Sequence, residues 1–118
     1  MISRNRRFRG QKDIEFVYRK GRAARLGFMG AKAVPAKKDD YRLAVVVSRK
    51  VNKSAVVRNR IRRRLYEQFR LISKDRGQAI LFDIVLSVYD DNLAKLPPSE
   101  LRQACQTLLA KIENQAPR

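Results

Sequence analysis

Apolar positions along the chain switch between two spacings, one suited to helices and one to strands. In residues 11–20, Ile14, Val17 and Tyr18 recur three and four apart, which predicts a helix with one apolar face; Gly21 supplies its stop. Phe16 points away from Ile14 on an ideal helix and reads as a second-face core residue ahead of an exposed stacking platform. A short extended piece at 22–25 precedes a strand over 28–34, ended by Pro35, and residues 37–40 read as the turn of a hairpin. Residues 41–48, with Leu-Ala-Val-Val-Val at their centre, are too continuously apolar for a one-sided edge strand and predict a buried one.

A second helix is predicted over 54–72, with the Ser54 hydroxyl as N-cap. At 100° per residue, Val57, Ile61, Leu65, Phe69 and Ile72 fall within an arc of about 120°, a normal core-facing stripe. Gly77 lies in the connection to a strand over 80–88 centred on Ile84, Val85 and Leu86. Residues 90–98 read as a loop, and Ser99 as the cap of a last helix with Leu101, Ala104, Cys105, Leu108 and Ile112 on one face; the tail after Asn114 is expected to fray. No internal repeat or low-complexity segment is present. The order of helix, two or three strands, helix, strand, helix predicts an α+β layer, a small sheet packed by helices, and 118 residues suit a single domain spanning 1–118.

Charge narrows the function. The chain carries 28 Lys and Arg against 11 Asp and Glu, a formal charge of +17, which calls for a polyanionic partner; nucleic acid leads. That charge is concentrated: nine basic and two acidic residues in 1–30, eleven and two in 49–76, but four and five in 77–118. The two basic regions are expected to face RNA or DNA, with residues 1–10 loose until bound. An anionic membrane would also attract such a chain, but no apolar run approaches the ~20 residues of a spanning helix. Residues 1–10 lack a signal peptide's apolar stretch, so a cytoplasmic protein is expected.

Cys105 is the single cysteine and there is no histidine, which excludes an internal disulfide, zinc chemistry and a histidine general base. Asp39-Asp40 and Asp90-Asp91 could be offered as metal-holding pairs, but adjacent acids in turn-like segments read first as turn stabilisers. No catalytic residue and no metal ligand is assigned to the protein.

The helix over 54–72 carries Arg58, Arg60, Arg62, Arg63, Arg64 and Arg70 against Glu67 as its one acid. A merely solvated face would mix signs, because like charges at i,i+4, as in Arg58/Arg62 and Arg60/Arg64, each cost ~0.2–0.5 kcal/mol. Arginine suits bidentate phosphate contacts and stacking on bases, and Asn59 adds a neutral donor and acceptor. Ser48, Arg49, Lys50, Asn52 and Lys53 form a basic approach whose backbone N–H groups could receive a phosphate. A structural RNA-binding protein of ribosomal type would share these features. A helix-in-groove DNA regulator fits less well, because the arginines surround the helix and no dimerisation seam is evident.

Val47-Ser48-Arg49-Lys50-Val51, then Ala55-Val56-Val57-Arg58-Asn59-Arg60-Ile61-Arg62-Arg63-Arg64-Leu65 and Phe69-Arg70, resemble the Arg-Asn-Arg signature and its approach in the protein subunit of bacterial ribonuclease P. The resemblance continues through Tyr18-Arg19-Lys20-Gly21, the strand at 42–48, Asp83-Ile84-Val85 and the last helix. It implies the order α-β-β-β-α-β-α, with a left-handed β-α-β crossover against the usual rule. It also implies a bacterial cytoplasmic cofactor that binds a catalytic RNA and the 5′ leader of precursor tRNA, the RNA performing the hydrolysis.

Carried onto this chain, the resemblance gives RNA binding to Ser48, Arg49, Lys50, Lys53, Arg58, Asn59, Arg60, Arg62 and Arg63. It lines a leader cleft between first helix and sheet with Ile14, Tyr18, Arg58, Asn59 and Arg62. Mg2+ would enter on RNA phosphates rather than on a protein motif, and no obligate protein partner is implied. Ile14 stands where many relatives have phenylalanine, Asn52 replaces a common glycine, and Tyr66 a common basic residue. Leader recognition is expected to depend on charge and apolar platforms rather than on a base-edge code.

Overall fold

The computed structural model describes residues 11–37 and 41–115. The loose segment expected at 1–10, most of the turn expected at 37–40, and residues 116–118 of the tail lie outside them. Helix α1 (Gln11–Lys20) leads into strands β1 (Arg22–Leu26), β2 (Met29–Pro35) and β3 (Arg42–Val46); helix α2 (Ala55–Asp75) leads to strand β4 (Phe82–Val88), a 3-10 turn (Asp91–Ala94) and helix α3 (Pro98–Glu113). The order α-β-β-β-α-β-α is the one expected.

The strands form one sheet in the order β1-β2-β4-β3, with β1 antiparallel to β2, β2 antiparallel to β4, and β3 parallel to β4. This corrects the hairpin expected between β2 and β3, because β4 inserts between them. A central strand must bury both faces, and β4 can: its Asp83, Ile84, Val85 and Leu86 are all buried. β3 is therefore an edge strand, but not a one-sided one, and its apolar run is buried as expected. Leu43, Ala44 and Val45 are buried because helices cover both of its faces.

The main core lies on one face of the sheet. Met29, Leu43, Ile84 and Leu86 meet Ile61, Leu65 and Phe69 of α2 and Leu101, Cys105 and Leu108 of α3. Burial pushes the Cys105 thiol up to about 12, so it stays neutral. The Ser54 hydroxyl accepts the Val57 N–H at 3.3 Å, the expected cap, and α2 runs three residues past Ile72. Helix α3 starts differently from expectation: Pro97 occupies the N-cap, Pro98 follows, and Ser99 sits inside the first turn. Proline suits that place, since its fixed φ is helical and its missing N–H would have no helical partner.

Among the described residues the opposite face carries only α1, which packs Val17 against Val34, Ala44 and Val85, with Ile14 half-buried beside them. Two devices fix this helix. The Gly21 N–H donates to Val17 O at 2.7 Å, and a Cβ there would stand 2.4 Å from that oxygen, so only glycine turns directly from α1 into β1. Near the other end Arg42 pairs in two-pronged fashion with buried Asp83, at 2.8 and 3.3 Å, and lies 3.7 Å from Asp13 of α1. Phe16 is 40% exposed, with the Lys37 ammonium 5.9 Å from its ring centre; the expectation of core is corrected because α1 meets the sheet with one face only.

The β1 edge is closed by the end of α3. Lys111 Nζ donates to Arg25 O, Gln115 Nε2 to Ala23 O, and Arg22 reaches back to Ile112 O and Gln115 O. Gln115 is thus tied to the sheet rather than frayed, and the carbonyls that an open edge would offer another strand are engaged.

Candidate nucleic-acid interface

Ten residues make α1 about 15 Å long. It covers Val34, Ala44 and Val85 and, among the described residues, leaves the far end of the same sheet face bare. Strand alternation brings Ala23 and Arg25 of β1, Gly30 and Lys32 of β2, and Ser87 of β4 to that bare floor, with Tyr89 just beyond β4. These residues and Tyr18 line a hollow of about 230 Å³. A second, of about 320 Å³, adjoins it along Ser87 and Tyr89 and is walled by Val46, Ser48, Lys50 and Val51. The Tyr18 and Ser87 hydroxyls are 2.8 Å apart and join helix to floor. The result is a shallow trough with aromatic, hydroxyl and cationic groups.

The basic loop and α2 begin where this trough ends, because β3 and β4 are parallel and α2 starts beyond the end of β3. Asn52 organises the loop: its Oδ1 accepts the Ser54 N–H at 2.8 Å and its Nδ2 donates to Asp91 Oδ2 at 3.0 Å. Arg58 Nη1 donates to the Asn52 and Lys53 carbonyls, each at 3.0 Å. The Asn52 side chain therefore fastens the loop to the 3-10 turn. Asp90 accepts the Asn92 N–H at 2.8 Å, so both members of this acidic pair have structural partners. Among the described residues no group of three or more metal-ligating side chains occurs; Asp39 and Asp40 lie outside them.

The arginines of α2 divide by partner. Arg64 donates to Leu93 O at 2.6 Å and to Leu96 O, holding the 3-10 turn; burial, then Arg60, pulls its pKa below the ordinary arginine value. Arg70 pairs with Glu67 at 2.5 Å, and that contact holds the Glu67 carboxyl down to about 2. Arg62 Nη1 donates to Asn59 Oδ1 at 2.6 Å, and its Nη2 reaches Val47 O at 3.4 Å, beside the trough. Arg60 and Arg63 are exposed. Among the described residues, no carboxylate lies within ion-pair distance of Arg49, Lys50, Lys53, Arg60, Arg62 or Arg63. Among the described residues, then, one helix and its approach present cations that have not spent their charge on carboxylates within the fold.

The residues expected to act together therefore fall into connected groups. Ser48, Arg49, Lys50 and Lys53 are exposed on the approach, and Asn59, Arg60 and Arg63 on the helix. Tyr18 and Arg62 flank the trough through Ser87 and Val47, and Val46 pairs with Ser87 across β3 and β4. Arg58 is turned to the loop backbone, and Ile14 packs from α1 against the sheet. Arg25, Lys32, Ser87 and Tyr89 were not among the expected site residues. Their alternation was legible, but which face of β4 α1 leaves bare was not.

Fold and site define a small α+β protein with a partly uncovered sheet face beside a row of unpaired cations. Residues 2–113 match the model of the Ribonuclease P family. The ribonuclease P protein component of Pseudanabaena sp. (strain PCC 6903) is 38% identical over 115 residues, 96% of each chain. Two shorter matches to proteins of that name are 44% identity over 63 residues in Thermus aquaticus and 36% over 69 in Parasynechococcus marenigrum (strain WH8102). In these the chain spans only 37% and 53% of the relative's length. The RNase P protein of Staphylococcus aureus superposes with a TM-score of 0.74 at 25% identity, covering 92% of this chain and 98% of that one. For the Thermotoga maritima RNase P protein the TM-score is 0.75 at 24% identity, with the same coverage, a likeness of fold. The chain belongs to the ribonuclease P protein family.

Proposed function

We propose that this chain is the protein cofactor of a ribonuclease P holoenzyme, binding the catalytic RNA and the single-stranded 5′ leader of precursor tRNA so that the leader is removed. The observation that carries the reading is the junction of two unlike surfaces. Unpaired cations at Arg49, Lys50, Lys53, Arg60 and Arg63 suit a folded RNA's phosphates, while the trough beside them suits an unpaired strand. Arg62 and Asn59 stand at the border, where both RNAs would come close. The protein's contribution is positional and electrostatic: it neutralises phosphates where two polyanions meet, and it adds affinity only for substrates that have a leader.

Hydrolysis belongs to the RNA in this reading. The protein lacks histidine, and its described acids at Asp90 and Asp91 are engaged in the loop. Mg2+ would be held by RNA phosphates, and no membrane or second protein is required.

The test is reconstituted cleavage of a precursor tRNA with RNA alone, protein alone and both. The expected result is cleavage by the RNA at high magnesium, none by the protein, and cleavage at lower magnesium with both, together with tighter binding of precursor than of mature tRNA. Unchanged magnesium dependence with equal binding of the two tRNAs would overturn the proposal, and a simply structural RNA-binding role would then account for the charge.

A further inference from the structure

Tyr89 follows β4 and is held by its backbone, the N–H donating to Phe28 O at 2.9 Å. Its ring does not enter either core; it lies along the sheet over Gly30 of β2, and the residue remains 50% exposed. A Cβ on Gly30 would come 3.0 Å from the Tyr89 hydroxyl and 3.3 Å from Cε2, so the bare glycine makes the seat for this ring. The Arg25 guanidinium of β1 lies over the ring, 4.7 Å from its centre. Among the described residues no acid pairs with Arg25, so its cation rests on an aromatic face that is itself open to solvent.

A ring needed only for packing would be covered, and a cation needed only for solubility would not require a seat of this shape. Tyr89 also borders both hollows of the trough, with Lys32 lining the first and Lys50 the second. A strand that crosses from one hollow to the other passes this ring.

We propose that Tyr89, seated on Gly30, is a stacking platform for one nucleobase of the RNA strand in the trough, and that Arg25 leaves the ring for an adjoining phosphate as the base arrives. The inference rests on the leader-binding reading above and extends it beyond the residues that reading uses. The ring is preorganised by its glycine seat, and Arg25 rests on it until then. Stacking accepts any base, which matches a substrate of variable sequence.

The experiment measures affinity of the assembled holoenzyme for precursor tRNA, for mature tRNA, and for a set of precursors each carrying one abasic leader nucleotide. Tyr89→Ala is expected to weaken precursor binding about tenfold and to leave mature tRNA unchanged, while Tyr89→Phe binds as the parent does. For one abasic position the parent and Tyr89→Ala are expected to bind equally. Arg25→Ala is expected to weaken precursor binding and to flatten its salt dependence. If the parent prefers precursor but Tyr89→Ala binds both tRNAs as the parent does, or loses both equally, the inference is overturned and the proposed function stands. If the parent itself binds the two tRNAs equally, the proposed function fails, and this inference with it.

Discussion

Single residues in this protein are shaped by whether their charge is answered. Asp83 is buried and answered by Arg42, and that two-pronged contact raises the Arg42 pKa; removing Arg42 would leave a buried carboxylate without its partner. Glu67 is answered at the surface by Arg70 and held down from 4.5 to about 2. A carboxyl whose folded pKa is depressed contributes stability above its unfolded value and loses it as pH falls to the folded one. Unfolding midpoints are therefore expected to fall between pH 4.5 and 2, and Glu67→Gln to flatten part of that fall. Because the pair is solvent-screened, its share is small. Acid titration of the urea midpoint, parent against variant, checks the slope; identical curves would show that the pair is silent.

At the scale of elements, α2 performs two tasks with one residue type. Its apolar stripe, Arg58 and Arg64 hold the fold, and Arg60 and Arg63 face outward. Arg64→Ala is expected to cost about 1–3 kcal/mol by leaving the Leu93 and Leu96 carbonyls without their donor. Arg60→Ala and Arg63→Ala are expected to change stability by no more than about 0.5 kcal/mol. RNA binding should invert that order. Urea unfolding and filter binding on the three variants decide the matter, and equal loss of RNA affinity for all three would erase the distinction. The helix was legible from periodicity and Ser54. The division among its arginines was not, since it depends on a 3-10 turn about thirty residues away that arrives only when the chain folds.

For the whole molecule, a charge of +17 makes RNA affinity a matter of counterion release as well as contact. The logarithm of affinity should fall linearly with the logarithm of salt, and each phosphate-contacting arginine replaced should reduce the slope by about 0.7–0.9. A slope unaltered by Arg60→Ala and Arg63→Ala together would remove these residues from the phosphate surface.

By itself the amino-acid order determined the elements, the α+β class, the basic loop and helix and the absence of histidine chemistry, because spacing, capping and charge act over a few neighbouring residues. Its guess of a β2–β3 hairpin failed because strand order depends on which strand can bury both faces, a competition among all four. The trough, the partners of Arg64, the role of Asn52 and the seat of Tyr89 on Gly30 were decided by the tertiary structure alone. The trough and the seat of Tyr89 are set by which surface a short helix α1 leaves uncovered, and the partners of Arg64 and Asn52 by the 3-10 turn that packs on α2; both are properties of the packed layers rather than of any segment.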